Sequence, residues 1–346
     1  MSSLTQSENV NNEDVELVKE LAEVKGEVLA EIGKVIVGQD KVIELLLISL
    51  MSSGHSLFVG VPGLAKTLLV STLSDVLSLK FNRVQFTPDL MPSDITGSEV
   101  LEKDSVSDKR FFRFIHGPIF CNILLADEIN RASPKTQAAL LQAMQEKKVT
   151  VGGETYPIAP PFLVFATQNP IEQEGTYPLP EAELDRFMFQ IDVTYPSYQE
   201  EVEIVKNTTG TYVPDLKKIL DSNKILAYQD LVHRVPVSDH VASYAVKVAR
   251  ATRPDDPATP ESVRQGVYFG VGPRASQYLI LGAKARAVLE GRYTPSTEDV
   301  KAIAPAVLKH RVVLNFRAEA EGIKQDDVIR EILDKIDPEI DARLEA

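Results

Sequence analysis

The sequence predicts an α/β fold with a parallel sheet, followed by an all-helical lid-like second domain. Three observations predict it. Short apolar runs alternate with stretches of helical periodicity as far as residue 193. That alternation is the pattern of buried parallel strands joined by helices. A glycine-rich turn links the first of these runs to a helix, and strand patterns stop after Pro196.

The elements follow in order. The chain has 346 residues, room for two or three domains at roughly 100–200 residues each. Residues 1–12 are rich in Ser and Asn and read as a disordered leader. Residues 15–36 place Leu17, Val18, Leu21, Val24, Val28, Ile32 and Val35 at helical spacing. Val37-Gly38-Gln39 breaks that helix, and a second is expected over 41–51. A strand is expected at 55–59 and a helix at 67–79, then strands at 81–85, 122–126, 162–167 and 189–193. Two regions interrupt the alternation. Residues 86–114 are too irregular for a single helix, whereas 148–151 and 155–158 flank Gly152-Gly153-Glu154 as a β-hairpin. A boundary near Tyr195 separates an α/β unit over 13–195 from a helical unit over 196–346. Within the second unit, helices are expected at 198–207, 238–252, 274–289, 297–308 and 326–336, with turns at 254–260 and 270–273.

Composition excludes several classes. There are 37 Lys and Arg against 50 Asp and Glu, a net charge of −13. Such a surface does not grip nucleic acid non-specifically, because phosphates demand positive faces. A small basic patch inside a ring or cleft is all that stays compatible. Cys121 is the single cysteine, so no intrachain disulfide forms, in keeping with a reducing compartment. His55, His116, His233, His240 and His310 show no metal-ligand spacing. The longest apolar run, 43–51, contains Glu44 and Ser49, far short of the ~20 residues that span a bilayer. The first residues are polar and acidic, unlike a secretory signal. No membrane insertion is expected, and the expected location is the cytoplasm.

Gly60-Val61-Pro62-Gly63-Leu64-Ala65-Lys66-Thr67 follows an expected strand and opens an expected helix. Backbone N–H groups of such a loop, with the positive helix end, point at phosphates. Lys66 would reach the β- and γ-phosphates, and Thr67 would offer its hydroxyl to Mg²⁺. The strict pattern has Gly before the lysine. Here Ala65 stands there, at a helix entrance where alanine is expected to be allowed. Ile123-Leu124-Leu125-Ala126-Asp127-Glu128 is a buried strand ending in two acids. Asp127 suits the metal and its waters, and Glu128 suits a base that activates water. By itself the pair reads equally as the start of a solvated turn. Thr167-Gln168-Asn169-Pro170 ends the next strand. Asn169 can hold an attacking water at the crevice edge or merely form an Asn-Pro turn.

These elements, in this order, resemble the AAA+ ATPases, and more closely the MoxR family. The resemblance rests on residues 60–67, 85–97, 117–120, 127–132, 166–177 and 179–187, and it covers about residues 15 to 335. It implies an AAA+ P-loop NTPase core with an all-helical lid, ATP and Mg²⁺ as ligands, and nucleotide contacts from Gly60, Val61, Pro62, Gly63, Leu64, Ala65, Lys66, Thr67 and Leu68. Val37, Gly38 and Gln39 would line the adenine pocket. Asn169 would be the sensor-1 residue and Arg274 the sensor-2 residue. Arg186 would be an arginine finger reaching the ATP of a neighbouring subunit, with Arg131 a second interface arginine. Residues 86–114 resemble a helix-2 insert and 148–158 a pre-sensor-1 hairpin, both directed toward a pore or a client. The resemblance further implies a homo-oligomer, a hexamer, with chaperone-like remodelling or cofactor and metal insertion in a protein client, such as one bearing a von Willebrand factor A domain. Two other readings stay open from sequence. One is a DNA-stimulated motor, kept alive by Lys147 and Lys148 at the hairpin base. The other is a nucleotide-switched scaffold.

Overall fold

The computed structural model describes residues 12–103, 110–171, 175–211 and 214–337. The expected leader therefore lies outside the described residues except for Asn12, which opens the first helix. Residues 104–109 of the first insert, 172–174 of the quoted family stretch and the last nine residues also lie outside them.

Two helices come first, α1 (Asn12–Ile32) and α2 (Asp40–Met51). The sheet is then built from β1 (Ser56–Val59), β2 (Phe81–Gln85), β5 (Ile123–Asp127), β8 (Leu163–Gln168) and β9 (Phe189–Asp192). Between them lie α3 (Lys66–Val76), α4 (Pro92–Thr96), β3 (Gly97–Lys103), β4 (Arg110–His116), α5 (Pro134–Glu146), β6 (Lys148–Val151), β7 (Glu154–Pro157) and α6 (Glu181–Leu184). The sheet order is β2-β5-β8-β1-β9, with every pair parallel. All five carboxyl ends therefore meet at one edge.

Pleating explains the continuous apolar runs. In β5, Ile123 and Leu125 join one core, while Leu124 and Ala126 join the other. In β8, Leu163 and Phe165 face the first core, and Val164 and Ala166 the second. Alternate side chains point to opposite faces, so a strand covered on both sides is apolar throughout. The second core is closed by α5 through Leu140, Leu141 and Met144.

The helical region contains α7 (Tyr198–Thr208), α8 (Ser222–Arg234), α9 (Asp239–Arg250), α10 (Glu261–Gly266), β10 (Val267–Phe269), α11 (Pro273–Leu289), α12 (Thr297–Leu308), β11 (Val313–Leu314), α13 (Phe316–Ala320) and α14 (Gln325–Lys335). Its hub is α11, which packs against α12, α9, α8, α2 and α1. Gly282 permits this, since a Cβ there would lie 2.6 Å from Ile303 Cδ1. The first core runs without a break from α1 and α2 through the sheet face into these helices. Residue 195 thus marks where the sheet ends, not where the apolar core ends.

One expectation is corrected. Strands do not stop at Pro196, because β10 and β11 pair antiparallel within the helical region. They are three and two residues long, too short for an alternation pattern to register. Residues 86–114 form no single helix, as expected, and they hold a hairpin that the sequence did not mark. Strands β3 and β4 pair antiparallel from Gly97↔His116 to Lys103↔Arg110. Val100, Leu101, Phe111, Phe112 and Ile115 are exposed, so no inward and outward alternation marks the hairpin in sequence. The expected second hairpin forms as β6 and β7. An aromatic cluster joins the two: Phe114 stacks on Tyr156 at 4.1 Å, and His116 meets Phe120 edge-on at 4.3 Å.

Charge pairs fasten the helical region. Asp299 is fully buried. It accepts from Arg286 Nη1 (2.6 Å), from Arg292 Nη1 and Nη2 (2.7 and 2.6 Å), and from Ser296 N (2.7 Å). Burial alone would raise its pKa, but the bonds from Arg292, Ser296 and Arg286 outweigh burial and hold it at about 2. A lowered carboxyl pKa stabilises the fold above the unfolded value and ceases to as pH falls through the folded one. Urea denaturation at stepped pH should show this contribution disappearing between pH 3.8 and about 2. Asp299→Asn should cost about 2–3 kcal/mol at pH 7, below the ~3–5 of fully buried pairs because both arginines reach solvent. The variant should also lack that acid limb. An unchanged urea midpoint would contradict the assignment.

Candidate active site

The site begins where β1 ends. Gly60 leaves the strand against Val193, and a Cβ there would lie 2.7 Å from Val193 O. The chain then turns through Gly63 (φ 85°) and Ala65 (φ 55°, ψ 20°) into α3. Ala65 therefore occupies the left-handed region, and the expectation of an unstrained alanine is corrected. That conformation suits glycine and costs other residues roughly 1–2 kcal/mol. Six described non-glycine residues have positive φ, and Gln39, Ala65 and Glu128 of the expected site are three of them. Strained backbone commonly clusters at functional sites.

The neighbouring strand ends supply the rest. A cavity of about 430 Å³ is lined by residues 62–68 together with Arg83, Gln85, Asp127, Glu128, Thr167 and Asn169. Lys66 Nζ donates to Gly60 O (2.5 Å) and Val61 O (3.1 Å). Burial lowers the pKa of its ammonium, against the pull of Asp127 and Glu128. Thr167 Oγ1 donates to Asp127 Oδ1 at 2.6 Å and accepts from Glu128 N at 2.8 Å. One buried hydroxyl on β8 thereby fixes both residues at the end of β5. Asp127 Oδ2 accepts from Arg83 Nε (3.1 Å) and Nη2 (2.6 Å). Glu128 Oε2 accepts from Gln85 Nε2 (2.9 Å) and Arg131 Nη1 (3.1 Å). Asn169 lies in the cavity lining, and its Oδ1 also accepts from Ile171 N at 3.1 Å. The turn reading of this residue is thus borne out, at a position that lines the cavity.

The donor chemistry fits magnesium. Thr67 and Asp127 bring a hydroxyl and a carboxylate into one cavity. Among the described residues no group of three or more His, Cys, Asp or Glu side chains is placed to hold a metal unaided. Mg²⁺ needs no such cage, because it keeps waters and phosphate oxygens as ligands. Thiol chemistry has no part here: Cys121 is buried, and burial pushes its thiol up to about 12.

Other expected residues lie elsewhere. Val37 and Gln39 line a separate cavity of about 440 Å³ between the end of β9 and α12. Gln39 Nε2 donates to Thr194 O at 3.2 Å, and Gly38 packs on Glu200. Lys309 closes the far side, pairing with Asp192 (2.5 Å) and Asp326 (2.6 Å). The first cavity lies at the carboxyl ends of β2, β5 and β8, and the second beside that of β9. Arg274 is absent from the described lining of both. At the start of α11, it pairs with Asp185 at 2.8 Å, as does Arg311. Arg311 also donates to the carbonyls of Asp185, Phe187, Met188 and Val307. Arg186 is outside both linings as well, and its carbonyl accepts from the Tyr278 hydroxyl at 3.3 Å. Arg131 is spent within its own chain on Glu128.

Sequence reasoning missed Arg83, Gln85 and the role of Thr167. The signal for the first two is their alternation with buried Val84 on a strand that ends at the same edge. For Ala65, replacement by glycine tests the backbone. Ala65→Gly should raise stability by about 0.5–1 kcal/mol, the strain removed less the added freedom of the unfolded chain. It should also keep nucleotide binding. A loss of stability in urea denaturation would contradict the left-handed assignment.

Comparisons with known proteins agree with this geometry. Residues 55–189 match the ATPase family associated with various cellular activities (AAA), and residues 261–332 match the AAA lid domain. Chaperone MoxR1 of Mycobacterium tuberculosis is 44% identical over 306 residues, covering 88% of this chain and 80% of that protein. Protein MoxR of Methylorubrum extorquens is 31% identical over 300 residues, covering 82% and 86%. A crystal structure of a candidate ATPase from Cytophaga hutchinsonii is 42% identical, with a TM-score of 0.86 over 93% of this chain and 97% of that one. The chain belongs to the MoxR family of AAA+ ATPases.

Proposed function

We propose that this ATPase hydrolyses ATP with Mg²⁺ at a seam between two copies of the chain, and that the resulting movement remodels or matures a protein client. The observation that carries the reading is the convergence of Lys66, Thr67, Asp127 and Glu128 on one cavity at the sheet edge. Loop N–H groups and the α3 N-terminus hold the phosphates. Lys66 exchanges the carbonyls of Gly60 and Val61 for phosphate oxygens. Thr67 and Asp127 would hold the metal, which supplies charge neutralisation at the phosphates. Glu128 takes the proton of the attacking water, and Asn169 orients that water. Gln85 and Arg131 both hold Glu128 Oε2, which leaves Oε1 to take the water's proton.

Arg186 supports the seam. It lies outside the phosphate cavity of its own chain, beside Asp185, whose carboxylate is already held by Arg274 and Arg311. A guanidinium delivered in trans contributes ~10³–10⁵ in rate in other phosphate-cleaving systems. Val37, Gly38 and Gln39 form the base pocket with the end of β9. Lys309 ties that pocket to α12 and α14, so a nucleotide there bears on the angle of the helical region. The paired hairpins, with exposed Phe112 and Leu101, suit contact with a client. The name of the Mycobacterium tuberculosis relative, Chaperone MoxR1, supports a client-directed role. Among the described residues no helix is long and apolar enough to cross a membrane.

Three variants test the assignment. Lys66→Ala should abolish binding of a fluorescent ATP analogue. Glu128→Gln should bind it normally and lose turnover by at least about 10²-fold, the contribution of a positioned base. Arg186→Ala should bind normally, lose turnover, and regain part of it when mixed with Glu128→Gln protein. Parental turnover in Arg186→Ala alone would contradict the seam.

A further inference from the structure

Arg83 stands at an unexpected point in the cavity. Among the described residues that line it, Lys66 and Arg83 are the only cations. Lys66 rests on loop carbonyls, whereas Arg83 holds Asp127. Its guanidinium meets Oδ2 through both Nε and Nη2. The other oxygen, Oδ1, is committed to Thr167, a residue 2% exposed. Arg83 therefore occupies the one oxygen of Asp127 that the fold leaves open toward the cavity. Its side chain is 48% exposed, so it is free to leave without disturbing the core.

The pair is also the head of a relay. Arg83 Nη2 donates to Gln85 Oε1 at 3.0 Å, and Gln85 Nε2 donates to Glu128 Oε2 at 2.9 Å. Glu128 Oε2 also accepts from Arg131 Nη1 at 3.1 Å, so Gln85 is one of its two described holds. Two cations at Asp127 Oδ2 repel each other, so each weakens the other's hold on it.

We propose that Arg83 is a positioning residue that acts as a built-in stand-in for the metal. It balances Asp127 until hydrated Mg²⁺ competes for the same carboxylate oxygen. This rests on the reading that the triphosphate occupies the Lys66 loop. Two effects follow. Without metal, Arg83 shields the phosphates from Asp127 and favours nucleotide binding. With metal, Arg83 is a competitor, so its removal lowers the Mg²⁺ concentration that the site needs.

A simple surface ion pair would do neither, being worth about 0–1 kcal/mol of stability and nothing specific to metal. A direct phosphate contact would weaken binding equally with and without Mg²⁺.

The test is equilibrium binding of a fluorescent, non-hydrolysable ATP analogue to the full chain, in EDTA and across a Mg²⁺ titration. Arg83→Gln should weaken metal-free binding about tenfold, the order expected when one charge-assisted contact near an anion is lost. The same variant should lower the Mg²⁺ midpoint several-fold. Arg83→Lys, which keeps the charge but not the fork, should fall between the two on both measures. Equal loss with and without metal, or no change in either, overturns the inference. Lys66→Ala and wild type are the controls. Should the parental protein fail to bind the analogue, the site assignment falls first and Arg83 with it. Should the parent bind and Arg83→Gln behave as the parent, only the Arg83 inference falls.

Discussion

The parallel register of β5, β8 and β1 is the constraint on which the rest depends. Ile123–Ala126 pair with Leu163–Ala166, and Ser56–Val59 pair with Phe165–Gln168. That alignment ends three strands at one level, so Asp127, Asn169 and the loop after Val59 share an edge. Open α/β sheets bind ligands at this edge because loops there are free to specialise. Thr167 then makes the alignment chemical. Its one hydroxyl ties Asp127 and the backbone of Glu128 to β8, so a slip of either strand would separate acid, base and loop together.

Besides the shared apolar core, two sets of ion pairs join the helical region to the ends of the α/β unit. Asp185 is held by Arg274 and Arg311, beside Arg186. Lys309 bridges Asp192 at the end of β9 and Asp326 on α14, beside the cavity of Val37 and Gln39. The more exposed of these pairs contribute little to stability, whereas Arg311 is buried and hydrogen-bonded to four carbonyls. They set the orientation of the segments that they join. The aromatic contact between Phe114 and Tyr156 gives the inserts a similar link. One insert leads from β2 into β5 and the other from α5 into β8, so both join directly to strands that carry site residues.

Much of this was legible in the sequence. The runs around Leu124 and Val164 are apolar throughout because both faces are covered, and that pattern is read from a single chain. The Gly60–Thr67 loop and the acids after Ala126 were legible because their spacing is tied to a strand and a helix. Arg83 and Gln85 were not, since nothing local says that β2 lies beside β5; only the sheet order does. The hairpin of β3 and β4 escaped because both of its faces carry exposed apolar side chains. The ribbon of β10 and β11 is too short for period-two patterning to register. Ala65 shows a different limit: residue type gives no sign that the loop turns left-handed there, and the backbone does.

A crystal structure of the chain with a non-hydrolysable ATP analogue and Mg²⁺ tests the central claim most directly. The account predicts the terminal phosphate within hydrogen-bond reach of Lys66, the metal between Thr67 and Asp127, and Arg186 of a second copy facing that phosphate. An analogue bound away from the Gly60–Thr67 loop, or a metal remote from Asp127, would contradict it.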